Sequence, residues 1–210
     1  PTRIHFGKNA INKLANELKA YGENILLVYG KAAIKKIVLY DQVINILQAE
    51  GKKVVELAGI NANPRYSQLL EGARLVREHQ IDLILAVGGG SVIDCAKGIA
   101  CGAYAEGDVW QRYYVNQERV NNPVVPVASI LTMAGTGSEM NGGSVITNEE
   151  TKEKIGRVYP LEIASPKFSI LNPEYTYSVP TYQMISGIFD VFSHIMEQYF
   201  SGDDDCTSDY

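Results

Sequence analysis

Several marks of membrane, secreted and nucleic-acid-binding proteins are missing from this sequence of 210 residues. No stretch reaches the ~18 to 20 apolar residues of a membrane span, and the start "PTRIHFGKN" lacks the charged and apolar regions of a signal peptide. No basic patch with interleaved aromatic residues occurs, so nucleic acid is not an expected partner. These absences predict a cytoplasmic protein with neither a membrane nor a nucleic-acid partner.

Cysteine is also scarce. The three cysteines form no CxxC pair, which argues against a disulfide framework and against a structural zinc site. We expect Cys95, Cys101 and Cys206 to be small buried residues.

Lysine and arginine are absent from residues 168–210, although that stretch contains seven of the 24 acidic residues. All 19 basic residues therefore lie in residues 1–167, which carry a formal charge of about +2. The first part suits an anionic ligand and the last part suits a cation. The acids at 203–205 are also typical of a solvated tail.

Short aliphatic runs alternate with segments of helical periodicity. The runs at 24–30, 52–57, 81–88 and 123–130 lack polar alternation, which is typical of strands buried on both faces. The intervening segments at 39–51, 67–80 and 91–105 carry apolar residues at helical spacing. This alternation predicts an α/β fold with a parallel sheet.

The chain changes character after residue 141. Residues 142–160 are expected to form an antiparallel hairpin inserted into the α/β domain, and the proline-punctuated stretch up to Pro180 is expected to be mostly extended connector. Residues 181–201 have the pattern of a new helix. A domain boundary is therefore expected near Pro180, with residues 1–180 as one domain and 181–210 as the start of another.

Three glycines end the predicted strand at 81–88 and precede a predicted helix. In an open α/β sheet, ligands bind beyond the carboxyl ends of the strands. Glycines 88–90 let a pyrophosphate approach the backbone, and the helix start supplies free N–H groups. Ser91 and Asp94 have the spacing of a capping box. A capped tight turn without a ligand is the alternative reading.

A second glycine loop, "SILTMAGTGSEMNGG" at 129–143, follows the next predicted strand. Thr132, Thr136 and Ser138 carry hydroxyls that can donate to phosphate or ribose oxygens. The loop can equally be a surface loop whose hydroxyls satisfy their own backbone. Two such loops after two strands favour a shared phosphate-bearing ligand.

The last predicted helix carries a polar stripe that includes Asp190, His194 and Glu197. Asp190 and His194 are at i and i+4, so their side chains are neighbours and can ligate one metal ion. The stripe can instead face water. It contains no lysine or arginine, and its wide apolar flank is typical of a largely buried helix.

Four motifs in order carry a family resemblance: "VGGGSVIDCAK", "TMAGTGSEMNGGSVITNEETKEKIG", "ILNPEYTYSVP" and "GIFDVFSHIMEQY". Together they resemble the iron-containing (group III) alcohol dehydrogenases, especially the butanol-dehydrogenase-like branch. The resemblance runs through nearly the whole chain. It implies an NAD(P)-binding α/β domain followed by an all-helical domain, with the active site in the cleft between them.

The resemblance also implies roles for individual residues. Gly89, Gly90, Ser91 and Asp94 match pyrophosphate and nicotinamide-side contacts, and Thr132, Thr136 and Ser138 match a second nucleotide loop. Lys154 matches a cofactor-contacting lysine after the hairpin turn. Asp190 and His194 match the first two ligands of a divalent metal, Fe²⁺ or Zn²⁺, which acts as a Lewis acid while hydride passes to or from nicotinamide. Glu197 either orients a ligand or only belongs to the stripe.

The sequence departs from the family pattern in two places. After the first strand it reads "YGKAA", where Gly30 and Lys31 stand without an acid for the ribose hydroxyls. Lys31 can attract a 2′-phosphate, which favours NADP(H) over NAD(H), or it can be an exposed helix-start lysine. Two further histidine ligands are implied by the resemblance, and the sequence ends at Tyr210 before reaching them. We therefore expect a part of a longer protein with a half-encoded metal site.

The sequence thus predicts a metal-dependent dehydrogenase for a small alcohol or aldehyde. A nucleotide-binding fragment without activity and a glycerol dehydrogenase-like enzyme on the same scaffold are the alternatives. A sugar-phosphate cyclase would need phosphate-binding basic residues near the metal, and the base-free stretch argues against it. A homodimer is a further expectation, with the N-terminal strand and "KKIVLY" as candidate contact edges.

Overall fold

The buried aliphatic runs pair into one sheet in the computed structural model of the chain, which describes residues 1–30, 34 and 38–200. The sheet has six strands, all paired in parallel. They are β1 (Arg3–Phe6), β2 (Asn24–Tyr29), β3 (Lys53–Leu57), β4 (Leu83–Gly89), β5 (Val127–Met133) and β8 (Phe168–Leu171). Their order is β1-β8-β5-β4-β2-β3. A separate antiparallel hairpin consists of β6 (Gly143–Asn148) and β7 (Glu153–Val158).

Helices follow most of these strands. They are α1 (Leu14–Leu18), α2 (Leu39–Ala49), α3 (Tyr66–Glu78), α4 (Gly90–Gly102), α5 (Leu161–Ala164) and α6 (Thr181–Phe200). Short 3₁₀ helices span Ala10–Lys13 and Pro173–Ser178, and a π-helical turn spans Trp110–Val115. The predicted parallel α/β sheet is confirmed.

Each face of the sheet carries its own apolar core, because successive strand residues point to opposite faces. On β2, Leu26 and Val28 belong to the core that includes α3 and α4, whereas Ile25 and Leu27 belong to the core that includes α1 and α2. All four side chains are fully buried. A central strand buried on both faces explains why the sequence shows no polar alternation there.

Two parts of the sheet differ from the sequence-based expectation. The strand expected at 123–130 begins only at Val127, because Pro123 and Pro126 have no N–H to donate to a ladder. The stretch expected to be mostly connector contains α5 and also β8, which pairs with both β1 and β5. Its four residues are too few for a clear pattern, although Phe168 and Ile170 are fully buried.

The hairpin is confirmed, and it packs against α4. Its turn is stabilised by Asn148, whose side-chain oxygen accepts a 3.0 Å hydrogen bond from the backbone N–H of Glu150. Ser144 Oγ on β6 donates to the carbonyl of Asp94 on α4 at 2.8 Å. The hairpin therefore joins the α/β domain next to the first glycine loop.

Helix α6 begins directly after Pro180 and is much more exposed than its apolar flank suggests. Only Gly187 is buried, and Ile188, Phe189 and Phe192 are all more than half exposed. Gly187 lies against the second glycine loop, where a side chain would meet the carbonyl of Ala134 at 3.1 Å. Within the described chain this helix contacts the other residues along one narrow strip, and the expected burial of its wide apolar flank stays a prediction.

Three smaller expectations have mixed outcomes. Cys95 and Cys101 are buried free thiols, as expected, whereas Cys206 lies outside the described residues. Part of "KKIVLY" also lies outside them. Within the part of the chain that the structure describes, no helix is long and apolar enough to cross a membrane.

Candidate functional site

A cleft of about 990 Å³ opens at the carboxyl ends of β4 and β5. One wall is the first glycine loop with the start of α4, and another is the loop after β3 at residues 61–63. The second glycine loop, from Thr132 to Thr136, and the first part of α6 complete it. This is the edge of a parallel sheet at which ligands bind.

The first glycine loop brings the backbone close to the cleft. Gly89 ends β4 and forms the N-terminal boundary of α4, and no side chain caps that helix end. A side chain on Gly90 would lie 2.7 Å from Thr136 Oγ1, so the two glycine loops touch at this point. The uncapped N–H groups and the positive end of the helix dipole suit an anion.

The capping box predicted from Ser91 and Asp94 is wrong. Ser91 Oγ donates to the carbonyl of Ala62, which ties the start of α4 to the loop after β3. The Asp94 carboxylate instead accepts from Ser138 Oγ and, at 3.0 Å, from the backbone N–H of Val145. Both side chains bind segments that are distant in the sequence, so the local spacing of Ser91 and Asp94 could not reveal those partners.

Asp94 and Ser138 belong to a buried polar network. Burial raises the pKa of Asp94, and the hydrogen bond from Ser138 opposes that rise. Ser138 is buried and also accepts a 2.9 Å hydrogen bond from Lys97 Nζ. The Ser138 hydroxyl both donates and accepts a hydrogen bond within the chain, and Ser138 is not one of the residues that line the cleft.

Lys97 is the residue that sequence reasoning missed. Its side chain is 0% exposed, and Nζ also donates to Asn141 Oδ1 at 3.0 Å and to the carbonyl of Gly143 at 2.9 Å. Burial lowers the pKa of Lys97 to about 8, and the nearby Asp94 carboxylate opposes the change. A sequence signal existed, since Lys97 is the lone cation in an otherwise apolar stretch of α4.

The second glycine loop contributes Thr132 and Thr136 directly. Thr132 is half-buried, Thr136 is exposed, and both line the cleft. Their hydroxyls are therefore available to a ligand in the way that the sequence predicts. Of the three hydroxyl residues predicted in this loop, Thr132 and Thr136 border the cleft, whereas Ser138 is buried and binds Lys97 and Asp94.

Of the remaining predicted cofactor contacts, Gly30 and Lys154 lie near the border of the cleft. Gly30 follows β2, and its carbonyl accepts a 3.3 Å hydrogen bond from the N–H of Gly59. Lys31 lies outside the described residues. Lys154 on β7 is exposed and donates at 2.9 Å to Asn63 Oδ1, and Asn63 lines the cleft. Lys154 thus reaches the cleft through Asn63.

Both predicted metal ligands lie on α6, and one of them, Asp190, borders the cleft. Asp190 lines it, and its Oδ2 would lie 3.0 Å from a side chain placed on Gly135 of the second glycine loop. His194 Nε2 is 3.7 Å from Asp190 Oδ1, and His194 Nδ1 is 3.8 Å from Glu197 Oε2. Among the residues that the structure describes, no group of three or more candidate ligands comes together. The described chain offers two neighbouring donors, one oxygen and one nitrogen.

Comparison with known proteins places these features in a family. Residues 1–173 match the family described as "Iron-containing alcohol dehydrogenase". The "Probable NADH-dependent butanol dehydrogenase 1" of Bacillus subtilis is 51% identical over 200 residues, which cover 95% of this chain and 51% of that protein. The "NADPH-dependent aldehyde reductase" of Escherichia coli is 39% identical over 201 residues, covering 95% and 50%.

A solved structure of a relative has the same fold. The crystal structure of NADH-dependent butanol dehydrogenase A from Thermotoga maritima superposes with a TM-score of 0.93 at 38% identity, covering 100% of this chain and 52% of that chain. The chain therefore spans about half the length of the curated relatives it matches.

Proposed function

Since the chain belongs to the iron-containing alcohol dehydrogenase family, we propose that the protein is a metal-dependent, NAD(P)H-linked alcohol dehydrogenase or aldehyde reductase. The observation that carries the proposal is the shared cleft, which is bordered by both glycine loops and by Asp190. A cofactor held on the loops would thereby face a metal ligand across one space. The proposed substrate is a small alcohol or aldehyde, in keeping with the relatives' names.

The cofactor-binding part of the proposal is supported by the geometry of the two loops. Gly89 and Gly90 present backbone without side chains at the start of α4, where the helix dipole attracts phosphate. Thr132 and Thr136 add hydroxyl donors from the opposite side. A cleft of about 990 Å³ has room for a dinucleotide in an extended form.

The form of the cofactor remains a prediction. The relative at 51% identity is named for NADH, and the one at 39% identity is named for NADPH. Lys31 favours NADP(H), because a lysine near the ribose can pair with a 2′-phosphate. Both nucleotides therefore belong in any assay of the protein.

Asp190 and His194 suit a divalent transition metal as two of its ligands. Carboxylate oxygen and imidazole nitrogen are both accepted by Fe²⁺ and Zn²⁺, and the i, i+4 spacing on α6 turns them to the same side. No lysine or arginine on α6 competes with a metal ion for the Asp190 carboxylate. Asp190 faces the cleft directly, and His194 lies one turn further along the helix.

The chain's own residues have three tasks in this mechanism. The glycine loops would bind the phosphates of the cofactor and so orient its nicotinamide end. Asp190 and His194 would hold the divalent metal as two of its ligands. When bound, the metal supplies a Lewis acid for the substrate oxygen, and the nicotinamide supplies or accepts the hydride. Met133 and Ala134 add apolar lining to the same cleft, which suits the uncharged part of a small alcohol or aldehyde.

The test is to purify the protein in its full-length form, strip it of metal with a chelator, reload it with Fe²⁺ or Zn²⁺, and follow NADH and NADPH oxidation with butanal. We expect turnover that disappears on chelation and returns with metal. Asp190→Asn should lower turnover by about 100-fold or more while cofactor binding, followed by nucleotide fluorescence, stays within about threefold. Glu197→Gln is the matched control on the same helix, since its carboxylate is mostly exposed.

Two outcomes would contradict the proposal in different ways. Nucleotide binding without turnover under any metal would remove the dehydrogenase activity and leave a nucleotide-binding protein. If Asp190→Asn and Glu197→Gln lost the same fraction of turnover, Asp190 would not be a specific metal ligand. Both carboxylates would then act only through the negative charge of the helix face.

A further inference from the structure

Lys97 is an unusual place for a positive charge. Its side chain is 0% exposed, yet no carboxylate of the described residues lies within hydrogen-bond distance of Nζ. A buried charge without a direct counter-ion is costly, and an apolar side chain of similar length would fill the same space without that cost. The lysine therefore needs a reason beyond packing.

All three acceptors of Lys97 belong to one segment. Ser138 Oγ, Asn141 Oδ1 and the carbonyl of Gly143 lie between 2.9 and 3.0 Å from Nζ. Three acceptors match the three N–H bonds of an ammonium group, so the charged form is fully hydrogen-bonded. One side chain on α4 thus fixes both the second glycine loop and the start of β6.

The connection continues from Asn141 to the cleft. Asn141 Oδ1 also accepts a 2.9 Å hydrogen bond from the N–H of Gly143, and Asn141 Nδ2 donates at 3.1 Å to the carbonyl of Thr136. Thr136 lines the cleft and lies against Gly90. A chain of hydrogen bonds therefore runs from buried Lys97 through Asn141 to a residue of the cofactor wall.

Ser138 closes the network on its other side. Its hydroxyl donates to Asp94, so the ammonium and the carboxylate are joined through one shared oxygen. The Asp94 carboxylate in turn accepts from the N–H of Val145 on β6. Both charges sit on α4, and both hold the loop and hairpin that follow β5.

We propose that Lys97 is a positioning residue for the cofactor: it sets the conformation of the second glycine loop and, through Asn141, the place of Thr136 in the cleft. The inference deepens the proposed function, because it names a residue outside the cleft on which cofactor affinity depends. Lys97 touches neither cofactor nor substrate, so it acts only through the loop.

The first test compares Lys97→Met with Ile99→Ala, a control on the same helix whose buried side chain packs on α3 instead of the loop. Affinity for NADH and NADPH is measured by fluorescence titration, and stability by urea unfolding. We expect Lys97→Met to raise the cofactor Kd, and the KM for cofactor, about tenfold while kcat at saturating cofactor changes less than about threefold. Ile99→Ala should lose stability and keep the wild-type Kd.

A second variant tests the link itself. Asn141→Asp keeps an oxygen for Lys97 and for the N–H of Gly143, but it replaces the donor to Thr136 by a carboxylate oxygen that repels the Thr136 carbonyl. We expect a folded protein whose cofactor Kd rises about tenfold. This variant decides the question even if Lys97→Met does not fold.

Wild-type affinity in Asn141→Asp, or losses of affinity that are equal in Lys97→Met and Ile99→Ala, would overturn the inference. Failure of the proposed function looks different, because the unaltered protein would then bind no nicotinamide nucleotide or turn over no aldehyde. The two failures are read from different proteins and cannot be confused.

Discussion

The contact between the two glycine loops gives the sharpest prediction. A Cβ on Gly90 would lie 2.7 Å from Thr136 Oγ1, which is closer than van der Waals contact allows. Thr136 is exposed, so its side chain can rotate away from the new methyl group. In Gly90→Ala the hydroxyl should therefore leave the position in which it faces the cleft.

The magnitudes separate stability from binding. Replacing a helical glycine by alanine stabilises by about 1 kcal/mol, and moving a side chain off its preferred rotamer costs about 1 kcal/mol. Unfolding free energy should thus change by less than about 1 kcal/mol. The cofactor loses about one hydrogen bond, or about 1.4 kcal/mol, which is a tenfold rise in Kd.

A double-mutant cycle isolates the contact. Gly90→Ala, Thr136→Ala and the double variant are titrated with NADH and NADPH, and urea unfolding checks their stability. If Gly90→Ala acts through Thr136, it should have little further effect where that hydroxyl is already absent, giving a coupling energy of about 1 kcal/mol. Gly156→Ala is the control, because a methyl group there meets Val145 at an ordinary 3.5 Å. A full tenfold loss from Gly90→Ala in the Thr136→Ala background would refute the reasoning.

Three further predictions concern packing, pH and cofactor choice. Gly142→Ala should lower the free energy of unfolding in urea by about 3 kcal/mol or more, because its Cβ would lie 2.1 Å from the backbone oxygen of Tyr159. Lys97 has a folded pKa of about 8 against an ordinary 10.5, so between those pH values the unfolded chain binds a proton that the folded chain does not. Unfolding free energy should therefore rise with pH across that window, by up to about 3 kcal/mol more than in Lys97→Met, as measured by urea unfolding at each pH. Lys31→Ala should raise the Kd for NADPH about tenfold and leave the Kd for NADH unchanged, and equal changes for both would contradict the preference for NADP(H).

The sheet shows which parts of the fold were predictable. The central strands β2 and β4 are buried on both faces, so their aliphatic runs stand out in the sequence. The short β8 does not, because four residues are too few to show a period. β8 lies between β1 and β5, and β1 joins the sheet by pairing with β8 between residues more than 160 positions apart, such as Arg3 with Phe168.

The functional site, like the sheet, has parts that the sequence predicts and parts that it does not. Both glycine loops were predictable, since each follows a buried strand, and Thr132 and Thr136 line the cleft, while their contact with a cofactor stays a prediction. The partners of Ser91 and Asp94 were not, because Ala62 and Ser138 approach from other loops. A capping box was the best local explanation of their spacing, and tertiary hydrogen bonds took precedence over it.

The network beneath the cleft resolves a conflict that glycine loops create. Backbone can approach a phosphate closely only where side chains are small, yet a glycine-rich segment loses the most conformational entropy when it is fixed. Side chains placed on the cleft side to hold the loop would occupy the ligand's space. Lys97 and Asp94 hold the second glycine loop from the buried face of α4 instead. They do so through hydrogen bonds to Ser138, Asn141 and the backbone of the hairpin. Burying a charge lowers the stability of the fold. In return, the loop is held without any side chain that would fill the cleft.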